Sequence, residues 1–366
     1  MRKILAVLLS FFVVAALASC EKVMGDEKIV LITDKGDITD RSFNQGAYEG
    51  VKEFGKKYKV SYSYLKPSDA NDEEYLNAIG QAISDGATII VTPGFLFEGP
   101  INIAQEEYPE VKFILLDGSP ANAEVEDAKI LSNVVGIFYA EEQSGFLAGY
   151  AAVMDGYRKL GFMGGMAVPA VQRFGHGFVQ GAAKAAEALE LADEEVTIEY
   201  LYTGDFSATP EVQAAAATMF TSGFEVIFAC GGAVGQSVMR AAEEHDGKVI
   251  GVDVDQSGDS DSVITSATKN LAVSVVQALE AIKDEEWDEL FGGKEIVLDV
   301  TDNGVSLPFK NSKFEKFTEE QYNELFAALV DGTIEVSTQI GEIGDDGNAA
   351  KEFETAQVKV TVVPFG

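Results

Sequence analysis

Strand-like and helix-like segments alternate along this 366-residue chain with little filler, and the series runs twice. In the first set "KIVLIT", "KVSYSYL", "ATIIVTPG", "KFILLDG" and "KILSNVVGI" read as strands, separated by helical stretches such as "DEEYLNAIGQAIS" and "INIAQEEY". After a helix at "AEEQSGFLAGYAAVM" the set restarts with "KLGFMGGM", "VTIEYLYTGD", "EVIFACGG" and "KVIGVDVDQ", with helices at "FGHGFVQGAAKAAEAL", "PEVQAAAATMF" and "GQSVMRAAEE". Alternating βα units build parallel sheets covered by helices on both faces, so two sets predict two doubly wound lobes. The remaining segments, "SVITSATKNLAVSVVQALEAIKD", "KEIVLDV" and "EEQYNELFAALVDG", are too short for a third domain and are expected to complete both lobes by crossing between them. Expected limits are residues 28–136 with 258–300 for the N-terminal lobe and 137–257 with 301–366 for the C-terminal lobe.

Residues 1–19 read as a separate object. "MRK" supplies a positive start, "ILAVLLSFFVVAALA" an apolar run and "LASC" a lipobox ending at Cys20, which predicts a lipoprotein signal peptide and a diacylated (palmitate-bearing) Cys20 heading a tether over residues 20–27. A transmembrane helix fits less well, because the run is short and is followed by the acidic "EKVMGDE". The expected location is therefore the cell membrane, lipid-anchored, facing the periplasm or exterior. With Cys20 committed to lipid, Cys230 has no disulfide partner. A formal net charge of −33 repels nucleic acid and other polyanions, which leaves a neutral or cationic small ligand as the better fit.

At the end of the first strand the chain reads "DKGDITDRSFNQG". Ser42 and Gln45 have the S-x-x-Q spacing of a capping box, and Phe43, Ala47, Val51, Phe54 and Tyr58 follow at the period of one helix face. Loops at the carboxyl ends of parallel strands are where ligands bind in open α/β sheets, so Asp34, Phe43 and Asn44 are expected at a mouth. Phe43 would either staple the helix start or present its ring to that mouth, and local sequence fits both.

Enzymatic motifs fare poorly. "CGGAVG" has Cys230 where a dinucleotide fingerprint needs its first Gly, no phosphate-binding P-loop is present, and "DVDQSG" opens like an EF-hand loop but has Ile264 in place of the bidentate Glu. His176 and His245 lack any accompanying nucleophile motif. Asp34, Asp37 and Asp40 do not match the aspartate spacing of a nucleoside hydrolase. No catalytic residue, metal or cofactor is therefore expected. Polar residues at strand ends form the more informative pattern: Asp34, Asp117, Asp205 with Phe206, Gly231 and Gly232, Asp253, and Lys269 all fall at carboxyl ends of strands.

With these residues, "DKGDITDRSFNQGAYEG", "AEEQSGFLAG", "LGFMGGM", "GHGFVQGA", "GVDVDQ" and "ITSATK" resemble the motifs of the basic membrane protein family of ABC-transporter substrate-binding lipoproteins, and within it the purine nucleoside receptors. The resemblance spans residues 28–270 or so. It implies a type I periplasmic binding protein fold with three hinge crossings and delivery of ligand to an ABC permease. It further implies that Phe43 and Phe206 stack on the two faces of a purine and that Asp34 and Asn44 hydrogen-bond the purine edge. Asp117, Asp253, Lys269 and backbone near Gly232 would then hold ribose hydroxyls. Relatives of this fold also capture riboflavin or sugars. From other classes, a nucleoside hydrolase and a signalling or adhesion lipoprotein stand as alternatives.

Overall fold

A computed structural model describes residues 24–366, so the signal peptide and Cys20 lie outside the described residues. The first lobe contains β1 (Lys28–Ile32), α1 (Phe43–Tyr58), β2 (Ser61–Leu65), α2 (Asp72–Ser84), β3 (Ile89–Pro93), α3 (Glu98–Glu107), β4 (Lys112–Leu116) and β5 (Val134–Tyr139). The chain then crosses to the second lobe: α4 (Glu141–Asp155), β6 (Lys159–Gly164), α5 (Pro169–Ala188), β7 (Val196–Tyr202), α6 (Pro210–Thr221), β8 (Val226–Cys230), α7 (Val234–His245), β9 (Lys248–Asp253) and β10 (Val263–Lys269). It returns for α8 (Leu271–Lys283), α9 (Trp287–Leu290) and β11 (Lys294–Leu298), and ends in the second lobe with β12 (Val305–Ser306), α10 (Glu319–Val330) and β13 (Val358–Val362).

The two sheets repeat one plan. Their orders are β2-β1-β3-β4-β5-β11 and β13-β7-β6-β8-β9-β10-β12, parallel throughout except for the short antiparallel β12 against β10. Central strands such as "IIVTP" and "VIFAC" are buried along their whole length, as both-face coverage by helices demands. In each sheet the order reverses between the first and third strands of its set, β1/β3 and β6/β8, which opens a crevice at the carboxyl ends. Chain crossings at residues 139–141, 269–271 and 298–305 join the lobes, the three-crossing arrangement of a type I periplasmic binding protein.

Three expected boundaries are corrected. Residues 137–139 belong to the first lobe, because they complete β5, which pairs with β4 and β11. Residues 258–269 belong to the second lobe, because β10 takes its hydrogen bonds from β9; the crossing waits until the strand is complete, since an unpaired strand would leave its amides unsatisfied. The first lobe also begins earlier than residue 28: Met24 is buried in its core and Glu27 accepts the Thr88 hydroxyl.

Helices α4 and α5 pack at the closest distance that backbones permit. A Cβ on Gly145 or Gly149 would stand 2.1 or 2.0 Å from the carbonyl oxygens of Phe174 and Phe178, and one on Gly177 or Gly181 would stand 2.0 Å from those of Glu142 and Phe146. Four glycines, two on each helix at a spacing of four, thus let the two main chains touch. This fixes the N-terminal ends of both helices, Glu141 on one and Arg173–Phe174 on the other, at the edge of the cleft.

Candidate ligand-binding cleft

The carboxyl ends of the two sheets face each other across a cleft of about 600 Å³, within the size range of small-molecule sites. Asp34, Phe43, Asn44 and Asp117 line it from the first lobe, and Phe206, Gly232, Asp253 and Lys269 from the second. The eight residues expected to touch a ligand therefore share one cavity, and Gly231 lines it with them, whereas Asp205 does not. The repeated sheet plan explains part of this: Asp117 directly follows β4 and Asp253 ends the equivalent strand β9, and both adopt left-handed backbone, φ +54° and +66°. Aspartate tolerates that conformation better than most residues, and non-glycine residues held there cluster at functional sites.

The start of α1 is built differently from the expected capping box. Ser42 makes no cap bond; its Oγ donates across the cleft to Asp253 Oδ2 at 2.5 Å. The cap is Asp40, whose carboxylate accepts the backbone N–H groups of Ser42, Asn44 and Gln45 at 2.8, 2.9 and 3.1 Å. Gln45 instead accepts from the Arg41 amide. Asp40 also accepts Asn44 Nδ2 at 2.9 Å, and the same nitrogen donates to Asp34 Oδ1 at 2.9 Å. Asn44 is thereby locked as a bridge between two carboxylates. Asp34 Oδ1 takes a second donor, the Gly36 amide at 2.8 Å, so its Oδ2 is the atom left for the cleft. Burial pushes the Asp34 carboxyl up to about 6; the two donors oppose this and Asp40 adds to it.

On the opposite side stands a buried charge cluster. Lys269 Nζ lies 2.5 Å from Asp117 Oδ2 and 2.9 Å from Glu141 Oε1, and 4.9 Å from the ring centroid of Phe43. Burial alone would lower the Lys269 ammonium, but Asp117, Glu141 and Asp253 together raise it, so it stays charged. Burial raises Asp117 and Asp253, Lys269 holding both down in part. Asp117 Oδ1 is buried without a hydrogen-bond partner. Glu141 Oε2 also lacks a hydrogen bond and has only the Arg173 guanidinium, 3.5 Å away. Such orphan acceptors are costly unless a donor arrives, and ligand hydroxyls are suitable donors.

Phe206 is half-buried beside Gly165, where any Cβ would lie 2.4 Å from its ring, so glycine after β6 makes room for it. The strand-end residue Asp205 sits at the rim, paired with Lys35 of the first lobe at 2.5 Å. Glu141, Arg173, Phe174, Phe95 and the pair Ile340 and Ile343 also line the cleft, and none was singled out from the sequence. Glu141 stands after β5 within "AEEQSGF", a strand-end acid of the kind that flagged the others. The rest arrive by packing. Asp37 pairs with Lys66, while Asp34 and Asp40 share Asn44 Nδ2 and Asp40 caps α1; among the described residues no group of three or more His, Cys, Asp and Glu is placed to hold a metal ion.

Comparisons with known proteins agree with this architecture. The sequence model of the Bmp family, described as ABC transporter substrate-binding protein PnrA-like, matches residues 27–339. The chain is 28% identical to the ABC transporter nucleoside-binding protein BmpA of Lactococcus lactis subsp. cremoris over 89% of this chain and 96% of that one. It is 30% identical to Basic membrane protein A of Borreliella burgdorferi, covering 74% of this chain and 77% of that one. A solute-binding protein of an ABC transporter system from Aeropyrum pernix K1 shares the fold, with a TM-score of 0.72 at 20% identity over 86% of this chain and 94% of that one. The chain belongs to the Bmp family of PnrA-like ABC transporter substrate-binding proteins.

Proposed function

We propose that this protein is a lipid-anchored receptor on the outer side of the cell membrane that captures purine nucleosides between its lobes and delivers them to an ABC permease. The observation that carries the reading is that two aromatic rings from opposite lobes, Phe43 and Phe206, line one cleft together with Asp34, Asn44, Asp117, Asp253 and Lys269. Stacking of a base on such rings contributes about 1–3 kcal/mol per base. Asp34 Oδ2, when ionised, accepts a ring N–H of guanosine or inosine. Asp117 Oδ1, Asp253 and the Gly232 backbone receive ribose hydroxyls, with Lys269 balancing the carboxylates. The name of the Lactococcus relative, a nucleoside-binding protein, supports the ligand class. Capture without turnover is supported by the relatives, which are described as substrate-binding and nucleoside-binding proteins.

The direct test is mass spectrometry of small molecules released from the purified protein, followed by titration calorimetry with guanosine, inosine, adenosine, riboflavin and ribose. Tight binding of the first two supports the reading. Riboflavin or ribose binding without any nucleoside would replace the ligand class, and conversion of guanosine to free base would replace the receptor by an enzyme.

A further inference from the structure

The segment between α10 and the last strand carries residues that the described function does not use. From residue 333 to 344 it has no regular structure, yet it is pinned along one face of α5 by three side chains at a spacing of four. Gln172 Nε2 donates to the Glu342 carbonyl at 3.2 Å, and His176 Nδ1 bonds the Gln339 carbonyl at 2.8 Å. Gln180 both donates to the Ser337 carbonyl at 3.1 Å and accepts its amide at 2.8 Å. The strap is thus held by its main chain and needs nothing from Ile343, which is 75% exposed. Ile340 and Ile343 nonetheless line the cleft, next to Val168 and Pro169 at the start of α5. They also lie just past residue 339, where the match to the family's sequence model stops.

We infer that Ile340 and Ile343 are ligand-contacting residues: the strap forms an apolar lip that lies over the outer edge of the bound ligand and sets how fast it leaves. An isoleucine side chain is worth about 1.5–3 kcal/mol when fully buried, so a half-covered one on a bound ligand slows release by roughly tenfold, and such effects appear in the off-rate. Glu342 and Asp345 flank the lip, which suits an uncharged ligand edge over an anionic one. The inference concerns the mouth of the site and holds for any ligand of that cleft; only its nucleoside arm rests on the proposed function.

Cys230 supplies a readout that needs no ligand. It is the free cysteine among the described residues, is buried, and lines the same cleft. The full-length chain is treated with N-ethylmaleimide, and modification of Cys230 is followed by peptide mass spectrometry, which separates it from Cys20. Ile343→Ser and Ile340→Ser are expected to speed Cys230 labelling about tenfold, while Val297→Ser, an exposed residue on β11 away from the cleft, leaves it unchanged, and all three keep the wild-type melting temperature. Equal labelling in wild type and both lip variants overturns the inference, as does acceleration by Val297→Ser to the same extent, since that would report general loosening. Guanosine and inosine are then added to wild type. Protection of Cys230 that is lost faster on dilution in Ile343→Ser supports the lip as the release gate; no protection in wild type defeats the purine reading alone and leaves the labelling comparison to decide the lip.

Discussion

Lys269, the last residue of β10, places its Nζ 2.5 Å from Oδ2 of Asp117, the residue that follows β4, so one buried ion pair joins the carboxyl edges of the two sheets across the cleft. Ser42 to Asp253 makes a second such link, and Arg41 to Asp259 at 3.2 Å a third near the surface. Polar cross-lobe contacts thus tie the two lobes together around the cavity.

Removing the ammonium tests that cluster. Lys269→Met leaves Asp117, Glu141 and Asp253 facing one another with no cation except the partly exposed Arg173. Breaking a buried pair in this way costs about 3–5 kcal/mol. Burial already raises Asp117 and Asp253, and a carboxyl raised by folding costs stability progressively as pH climbs from its unfolded-state value to its folded-state value, the cost being complete above the latter. The deficit of the variant is therefore expected to be largest at pH 8 and to shrink toward pH 5, as urea denaturation at the two pH values would show. A deficit independent of pH would mean that the carboxylates do not feel the lysine.

Base selectivity should follow the protonation of Asp34. With its carboxyl at about 6, Oδ2 is mainly an acceptor at pH 7.5 and favours the ring N–H of guanosine and inosine over adenosine, whose ring nitrogen meets it lone pair to lone pair; the penalty is about 1–3 kcal/mol. Below the transition the carboxyl becomes a donor. Guanosine affinity is expected to fall by roughly tenfold between pH 7 and pH 5, one pH unit below the midpoint, while adenosine gains. Asp34→Asn should narrow the gap and remove its pH dependence. Calorimetry across this range decides, and a wild-type preference that ignores pH would take Asp34 off the base edge.

Stacking makes a prediction of a different form. Phe43→Ala should weaken all purine nucleosides alike, by about 1–3 kcal/mol, with little change in their ratios. Phe206→Ala should do the same from the other lobe. A loss confined to one nucleoside would mean that the ring reads an edge instead of a face.

The glycine contact between α4 and α5 should tolerate no side chain. A methyl group at position 149 or 177 meets a backbone carbonyl at 2.0 Å, so the helices must part; overpacking of this kind costs about 1–3 kcal/mol. Gly149→Ala and Gly177→Ala are expected to lower the denaturation midpoint. Because Glu141 and Phe174 ride on the same helices, ligand affinity should drop as well. Gly332→Ala, where nothing stands within 4 Å of the added atom but φ is +75°, should lower stability through backbone strain and leave affinity intact.

The anchor is tested by Cys20→Ser followed by palmitate labelling and membrane fractionation. Loss of label and release from the membrane, or failure of processing, is expected, since each buried acyl CH₂ contributes about 0.8 kcal/mol to membrane attachment. Label retained by the variant would place the lipid elsewhere.

Local sequence determined the class of fold, because a parallel βα unit writes its own pattern: buried strands read as apolar runs, covering helices as a period near 3.6, and two such series require two lobes. The polar residues that bring Asp34, Asp117, Asp253 and Lys269 to one cleft were legible for the same reason, since a strand's carboxyl end is a position in the sequence as well as in space. Partnership was not legible. Ser42 and Gln45 have the spacing of a capping box, but a hydroxyl satisfies whichever acceptor lies nearest in three dimensions, and Asp253, 211 residues away, takes it while Asp40 caps the helix. The lobe to which β10 belongs was decided by which neighbour could complete its ladder. Glu141 and Phe174 entered the cleft because facing glycines let two helices approach until their main chains touched, and Ile340 and Ile343 because α5 holds the strap's carbonyls. Each of these depends on which distant groups compete for one donor or one volume, and that competition exists only after the two lobes have come together.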